Sequence, residues 1–345
     1  MIRNKITFAA ATLAVCLLTV LLLLYEPYTS EAIRSTLALF VHRILPPLFP
    51  YMVLSKVMVT FDLLAPLSRF LQLGRLFRLP ERASAVVFTG LLCGFPVGAA
   101  GTCTLYESGG ISKEDAGRLA ALSSNAGPAF LLGTVAALWN SKAYGVFLFA
   151  VQTVSALVIA FFTARASAEE TGSSFPCSDA PARTVPEEVC RAVSESASAC
   201  LSVCAYIVFF RVMAVVMSRL IPAFAPLFGI LFEFSSGCAD GAAAGGVRGI
   251  FMTGAAVGSA GVSVMMQNYN FIGRHGIPVK VLWLTKGLQG LVCGTASVLF
   301  YLISPLESVG TTAVFTETFS WNAVTAVLSV MFVLSKIHKI SKHVI

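Results

Sequence analysis

The sequence predicts an all-α membrane protein that crosses the bilayer several times. Of its 345 residues, 57% are hydrophobic and 12% are charged, and the mean hydropathy is +0.82, whereas a soluble domain has about 25% charged residues. The apolar residues form blocks of about 20, the length of helix that spans the hydrocarbon core. Alternating segments of about ten residues, typical of membrane barrels, are absent. We therefore expect a polytopic bundle of about eight transmembrane helices in a lipid bilayer.

The first long apolar block, Ile6 to Tyr25, is predicted to be a retained transmembrane helix. It is longer than the apolar region of a signal peptide, and no small-residue cleavage site follows it. Further along the chain, a polar stretch separates two units with a similar hydropathy pattern. The predicted segments are an N-terminal helix in 1–35, a first repeat in 36–165, a linker in 166–185, a second repeat in 186–303, and a C-terminal helix (Trp321 to Leu334) with a basic tail in 304–345.

Each predicted repeat consists of a span, an interrupted span, a polar and glycine-rich hairpin, and a further span. In the first repeat, Gly94 to Gly98 interrupts the apolar run from Ala83 to Tyr106, because Pro96 lacks the N–H that a continuous helix needs. A re-entrant hairpin is predicted to follow, with its tip near Asn125. The corresponding features of the second repeat are Ser235 to Gly241 and Gly258 to Ser263.

The basic residues predict that the two repeats are inverted. The net charge is +7, but Lys and Arg lie at the ends of apolar blocks, where they determine orientation and do not suggest nucleic-acid binding. The loops from Arg69 to Arg82 and from Arg274 to Lys280 are both predicted to be cytoplasmic. The loop from Asn140 to Lys142 then lies outside, which gives the repeats opposite topology. Paired interruptions in inverted repeats indicate the substrate site of a transporter.

The candidate substrate-binding residues lie at these interruptions. Helix ends freed inside the membrane present N–H donors and positive dipole ends, which suit a carboxylate. Hydroxyl and amide side chains at the same places can bind a small polar solute, and Asp240 is an ionisable residue within an apolar region. The candidates are Gly94, Phe95, Pro96, Ser124, Asn125, Gly127, Pro128, Ser235, Ser236, Asp240, Ser259, Gly261, Ser263, Gln267 and Asn268.

Structural explanations for the same residues stay open. Glycines at four-residue spacing, such as Gly90 and Gly94 or Gly254 and Gly258, also indicate close helix packing. Pro96 could produce a kink without a binding site. Asp240 could lie at the membrane interface. Arg211 lies within a span, and it could either extend its charge to the interface or act as a functional counter-charge.

Motifs of enzymes, metals and cofactors are missing from the sequence. The nine cysteines form no C-x-x-C pair, and the four histidines are scattered along the chain. H-E-x-x-H, G-x-S-x-G and Walker A motifs are also absent. The sequence therefore predicts no catalytic residues, no metal site and no cofactor.

Four stretches resemble a known family. They are Gly94-Phe95-Pro96-Val97-Gly98-Ala99, Ser124-Asn125-Ala126-Gly127-Pro128-Ala129-Phe130, Glu233-Phe234-Ser235-Ser236-Gly237, and Ala260-Gly261-Val262-Ser263-Val264-Met265-Met266-Gln267. Together they resemble the YlbJ-like sporulation integral membrane proteins, within the wider set that has nucleoside-recognition, or Gate, domains. Members of that set often carry Lys where Ala100 stands, so the resemblance supplies no cation at the first interruption.

The resemblance implies a role in endospore formation. It implies a multi-pass protein of the cell membrane, in the outer forespore membrane, that moves a small anionic metabolite such as dipicolinate or a nucleoside-like solute by alternating access. A scaffold that assembles a spore-envelope complex without transport is the alternative, and the sequence leaves a homo-oligomer open.

Overall fold

The computed structural model describes residues 2–61, 63, 76–166 and 184–308, and every regular element in these ranges is helical. Four stretches are long and apolar enough to cross a membrane: Lys142–Arg165, Val185–Leu220, Gly246–His275 and Lys280–Ile303. A fifth arises if Val15–Leu24 and Glu26–His42, which meet at 89°, form one span. The all-α, multi-pass prediction is thereby confirmed, while the count of about eight spans stays a prediction. The loop residues Arg69 and Arg75, linker residues 167–183, and the C-terminal helix lie outside the described residues.

The helices are short where the sequence is rich in glycine and proline. In chain order they are α1 (Ile2–Leu24), α2 (Glu26–Leu39), α3 (Leu45–Thr60), α4 (Ala83–Cys93), α5 (Val97–Glu107), α6 (Lys113–Ser123), α7 (Ala129–Leu138), α8 (Lys142–Ala166), α9 (Val185–Leu220), α10 (Ala225–Phe232), α11 (Phe234–Ala244), α12 (Gly246–Ser259), α13 (Gly261–Ile272) and α14 (Lys280–Ile303). A π-helical turn, Phe40–Ile44, joins α2 to α3, and 3₁₀ turns occur at Pro222–Phe224 and Gly273–His275.

The interruption between α4 and α5 reverses the chain. Gly94 has φ +80°, which favours glycine, and Pro96 precedes the first residue of α5. The two helices pack against each other. They also enclose Ser123 at the end of α6, since a Cβ atom at Gly90 or Gly98 would lie 2.3 or 2.2 Å from its carbonyl oxygen. The predicted interrupted span is therefore a hairpin, because small residues allow α4 and α5 to approach α6 together.

The segment around Asn125 does not double back as predicted. α6 and α7 both lie against α8 and are not packed against each other. The Asn125 side chain donates a hydrogen bond to the Leu122 carbonyl at 2.7 Å, and Pro128 begins the next helical stretch. The chain thus continues in one general direction through an unwound segment, because a local side-chain bond replaces the missing helical ones.

The second repeat contains a hairpin and a bent pass. α10 and α11 meet at Glu233, whose backbone is extended (φ −146°, ψ 114°), and the two helices pack together. α12 and α13 form one stretch, broken at Ala260 (φ 63°) and Gly261 (φ 70°). The hairpin predicted near Gly258 to Ser263 is therefore an interrupted span, and the α10–α11 region is the hairpin.

Close helix packing at glycine is confirmed between α12 and α14. A Cβ atom at Gly254 would lie 2.5 Å from the Cys293 carbonyl oxygen, and one at Gly258 would lie 2.2 Å from that of Gln289. Backbones can approach this closely only where no side chain intervenes. This contact fixes the position of α14 relative to the interrupted α12–α13 stretch.

Candidate functional site

The interruptions of the two repeats meet inside the bundle. The Phe95 N–H donates a hydrogen bond to the Asn125 carbonyl at 2.8 Å, which joins the two interruptions of the first repeat. The rings of Phe95 and Phe130 each lie 4.8 Å from the ring of Phe234, which begins α11. Residues far apart in the chain, Phe95 and Asn125 among them, therefore meet in one centre.

A buried polar cluster surrounds Asn125. Lys286 donates from Nζ to Asn125 Oδ1 at 3.2 Å and to Gln289 Oε1 at 2.7 Å. Gln289 donates from Nε2 to Asn125 Oδ1 at 3.2 Å and to the carbonyl of Gln152 at 3.1 Å. Ser155 Oγ lies 3.4 Å from the same Nε2. We call these five residues the Lys286 cluster.

Lys286 is the unusual member, because it is only 2% exposed. It forms no ion pair with any carboxylate in the part of the chain that the structure describes. A buried ammonium group without a counter-charge is costly, and ionisable groups inside membrane proteins commonly mark sites of function. The sequence prediction missed Lys286, although a lone lysine in an apolar span is a recognisable signal.

Gln152 holds the first unwound segment in place. Its side chain accepts from the Ala126 N–H at 3.3 Å and donates to the Ala126 carbonyl at 3.0 Å. These backbone groups lack helical partners, and buried peptide groups need some partner. Gln152 therefore supplies the hydrogen bonds that the next turn of a helix would otherwise supply to this segment. Gln152, like Lys286, was not among the predicted site residues.

A second polar group lies beside the cluster. Asn268 donates from Nδ2 to Ser124 Oγ at 2.6 Å, and Gln267 donates from Nε2 to Ser263 Oγ at 3.1 Å. The Asn268 Oδ1 atom is buried and has no hydrogen-bond partner among the described residues. The structure therefore brings residues of both predicted repeats together around a buried amide oxygen that has no partner among the described residues.

The N-terminus of α11 is already occupied by a carboxylate of the chain. Glu233 is fully buried, and its side chain accepts from the N–H groups of Ser235 at 3.1 Å and Ser236 at 2.7 Å. The Ser235 hydroxyl donates to the same carboxylate at 2.7 Å. This is helix capping by an acidic residue. The predicted solute contacts of Ser235 and Ser236 are thus replaced by an internal contact.

Several predicted residues shape the backbone. A Cβ atom at Gly94 would lie 2.6 Å from the Gly127 N–H nitrogen, and one at Gly261 would lie 3.3 Å from the backbone of Glu233. Pro96 and Pro128 immediately precede α5 and the π-helical start of α7. These four residues allow the interruptions to approach each other. Ser259 Oγ is buried without a hydrogen-bond partner in the described ranges.

Asp240 lies in an ion pair. Its carboxylate accepts hydrogen bonds from Arg211 at 2.9 and 3.4 Å. The Asp240 side chain is 38% exposed and the Arg211 side chain is 22% exposed. The pair joins α9 to α11, so Arg211 is a counter-charge for Asp240 and the two side chains link these helices.

The Asp240→Asn variant should therefore lose little thermal stability and no transport activity. Asparagine keeps a hydrogen-bond acceptor for Arg211, so we expect a small decrease in thermal stability and unchanged solute flux. Unfolding in detergent and flux in liposomes measure the two. A large loss of flux in a stably folded Asp240→Asn protein would instead support Asp240 as a substrate-binding residue.

A small cavity adjoins the interruptions. Its volume is about 70 Å³, and it is lined by residues that include Phe95, Ala126, Gly127, Phe234 and Gln267. Ligand pockets generally have volumes of about 300–1,000 Å³. The helices therefore have to move before a metabolite can reach this position.

These features define a polytopic helical membrane protein whose interrupted helices surround a buried, lysine-containing polar centre. Over 121 residues the chain is 28% identical to the sporulation integral membrane protein YlbJ of Bacillus subtilis (strain 168). The match covers 34% of this chain and 30% of that relative. No family model matches the chain, and no solved structure does. The similarity supports the YlbJ-like resemblance in its coarse form, a membrane protein related to a sporulation protein.

Proposed function

We propose that the chain is a membrane transporter or facilitator for a small anionic metabolite, with the Lys286 cluster at its binding centre. The observation that carries this proposal is a buried lysine, next to an unwound segment, with no carboxylate partner among the described residues. An ammonium group has three N–H donors. Asn125 and Gln289 accept two of them, which leaves one for a ligand.

A carboxylate is the ligand that this chemistry favours. It would supply the missing counter-charge and accept the remaining Lys286 proton in a charge-assisted bond, which contributes about 1.5–3 kcal/mol. Asn268 Oδ1, which lacks a partner among the described residues, could accept from a hydroxyl or an amide of the same solute.

Inverted repeats are supported by where the hairpins end. The α4–α5 hairpin ends at Glu107, which contacts His275 at the end of the bundle where Arg191 and Arg274 lie. We call this the arginine-rich end. The α10–α11 hairpin ends near Gly245, whose nearest side-chain neighbour is Ser308, beyond the other end of α14. Each repeat then contributes a hairpin, an interrupted span and a full span in opposite senses. This is the arrangement that allows alternating access around a central site.

The resemblance to the YlbJ-like family implies a solute of the dipicolinate type and a place in the outer forespore membrane, and the similarity to a sporulation integral membrane protein of Bacillus subtilis agrees with a sporulation role. The wider resemblance to Gate domains makes a nucleoside-like solute the second candidate. A planar dicarboxylate fits the Lys286 cluster better, because a nucleoside carries no charge to pair with the ammonium group.

Flux into liposomes tests the proposal. Purified protein in liposomes should move labelled dipicolinate saturably and well above protein-free liposomes. The uncharged diamide of dipicolinate should compete at least about tenfold less well, since it lacks the ammonium–carboxylate attraction. Absence of flux for dipicolinate and nucleosides by correctly inserted protein, together with a stable copurifying partner, would favour the scaffold alternative.

A further inference from the structure

A second cluster of chemically reactive side chains lies at the arginine-rich end of the bundle. The ligand atoms of Cys103, Glu107 and His275 all lie within 4.8 Å of one another. The His275 Nε2 atom is 3.1 Å from Glu107 Oε1, and the Cys103 Sγ atom is 3.5 Å from the same oxygen. This cluster is separate from the Lys286 cluster, and the proposed function does not use it.

The folding of the chain explains why these three residues meet. Cys103 and Glu107 are four residues apart on α5, so both side chains lie on one face of the helix. His275 ends the 3₁₀ turn that follows α13, and α13 packs against α5. The Tyr106 ring lies edge-on to the imidazole with centroids 5.6 Å apart, which helps to hold the His275 ring beside α5.

The spacing suits a tetrahedral transition-metal ion. Bond lengths of about 2.0 Å to imidazole or carboxylate and about 2.3 Å to thiolate place neighbouring ligand atoms about 3.3–3.6 Å apart around zinc. The two separations at Glu107 Oε1 are close to this range, and the third, between the Cys103 and His275 ligand atoms, is within 4.8 Å. Thiolate and imidazole select zinc-like ions over Mg²⁺ and Ca²⁺, which prefer oxygen ligands.

The surroundings leave room for a further ligand. The three residues line a polar cavity of about 340 Å³ that also contacts Glu195 and Arg274. Two cations of this cavity, Lys56 and Arg191, form ion pairs with Glu195. A thiolate and a carboxylate together carry two negative charges, which balance a divalent cation even in this basic environment.

We infer that Cys103, Glu107 and His275 form a binding site for a zinc-like divalent ion, with a fourth position open to water. Because α5 belongs to the first hairpin and His275 follows the interrupted span of the second repeat, a bound ion links the two repeats at the arginine-rich end. Soft-metal binding here does not depend on which solute the Lys286 cluster takes.

Cobalt substitution of the purified full-length protein tests this site. Metal-stripped protein in detergent, titrated with Co²⁺, should bind one ion per chain and show a thiolate-to-cobalt charge-transfer band, which Zn²⁺ abolishes by competition. Cys103→Ser should remove the band, and His275→Gln should weaken binding at least about tenfold. Cys190→Ser, which changes an exposed cysteine outside the cluster, should bind as the unmodified protein does.

Two results would overturn the inference. One is the absence of a charge-transfer band at micromolar Co²⁺ in folded protein. The other is a band that persists in Cys103→Ser or disappears in Cys190→Ser, since the thiolate ligand would then lie elsewhere. Both readouts are independent of solute flux, so failure of the transport proposal leaves this test unaffected.

Discussion

Replacement of Lys286 by methionine should abolish anion flux while the protein still folds. The ammonium group supplies the only charge that the Lys286 cluster offers among the described residues, and its loss removes about 3 kcal/mol of anion binding, or roughly 100-fold in affinity. Folding should survive, because an apolar side chain of similar length replaces an unpaired buried charge, a change that is often neutral or stabilising. Saturable uptake of labelled dipicolinate into liposomes measures the effect.

Two further variants separate charge from shape. Lys286→Gln keeps a hydrogen-bond donor for Asn125 and should lose flux as Lys286→Met does. Lys280→Met removes an exposed lysine at the start of the same helix and should leave flux unchanged. Normal dipicolinate flux in both Lys286 variants would exclude Lys286 as the anion-binding group, whatever the protein transports.

Replacement of Gly258 by valine should have the largest effect on folding. A Cβ atom there would lie 2.2 Å from the Gln289 carbonyl oxygen and 2.8 Å from the Gly290 Cα atom. Both are backbone atoms, so no side-chain rotation relieves the clash and α12 has to move away from α14. Overpacking of well-packed interiors commonly costs 1–3 kcal/mol, and we expect at least about 3 kcal/mol here. Thermal unfolding in detergent and the yield of folded protein measure the loss.

Gly287→Val is the matched control for this substitution. A Cβ atom at Gly287, which is exposed on α14, meets nothing within 4 Å. Its melting temperature should stay near that of the unmodified protein. The residual folded fraction of Gly258→Val should also lose flux, because displacement of α14 moves Gln289 and Lys286 together. A Gly258→Val protein as stable as Gly287→Val would contradict the close helix contact.

The sequence by itself determined the class of the protein and most places where helices end. Hydropathy and the scarcity of charge predict a helical membrane protein, and Pro96, Pro128 and Gly261 mark interruptions that are present in the structure. These features are local, because a residue without an N–H or with a positive φ affects its own turn of helix whatever surrounds it. Asn125 was likewise predicted from its local sequence, because it immediately precedes Ala126, Gly127 and Pro128 inside an apolar region.

Only the tertiary structure decided how the interruptions are used. Whether a broken segment reverses or continues depends on which helices it packs against, so the hairpins are α4–α5 and α10–α11 and not the segments expected from the sequence. Lys286 and Gln152 became site residues because α14 brings Lys286 to Asn125 and α8 brings Gln152 to Ala126. Such contacts join residues distant in the chain, and no local pattern encodes them.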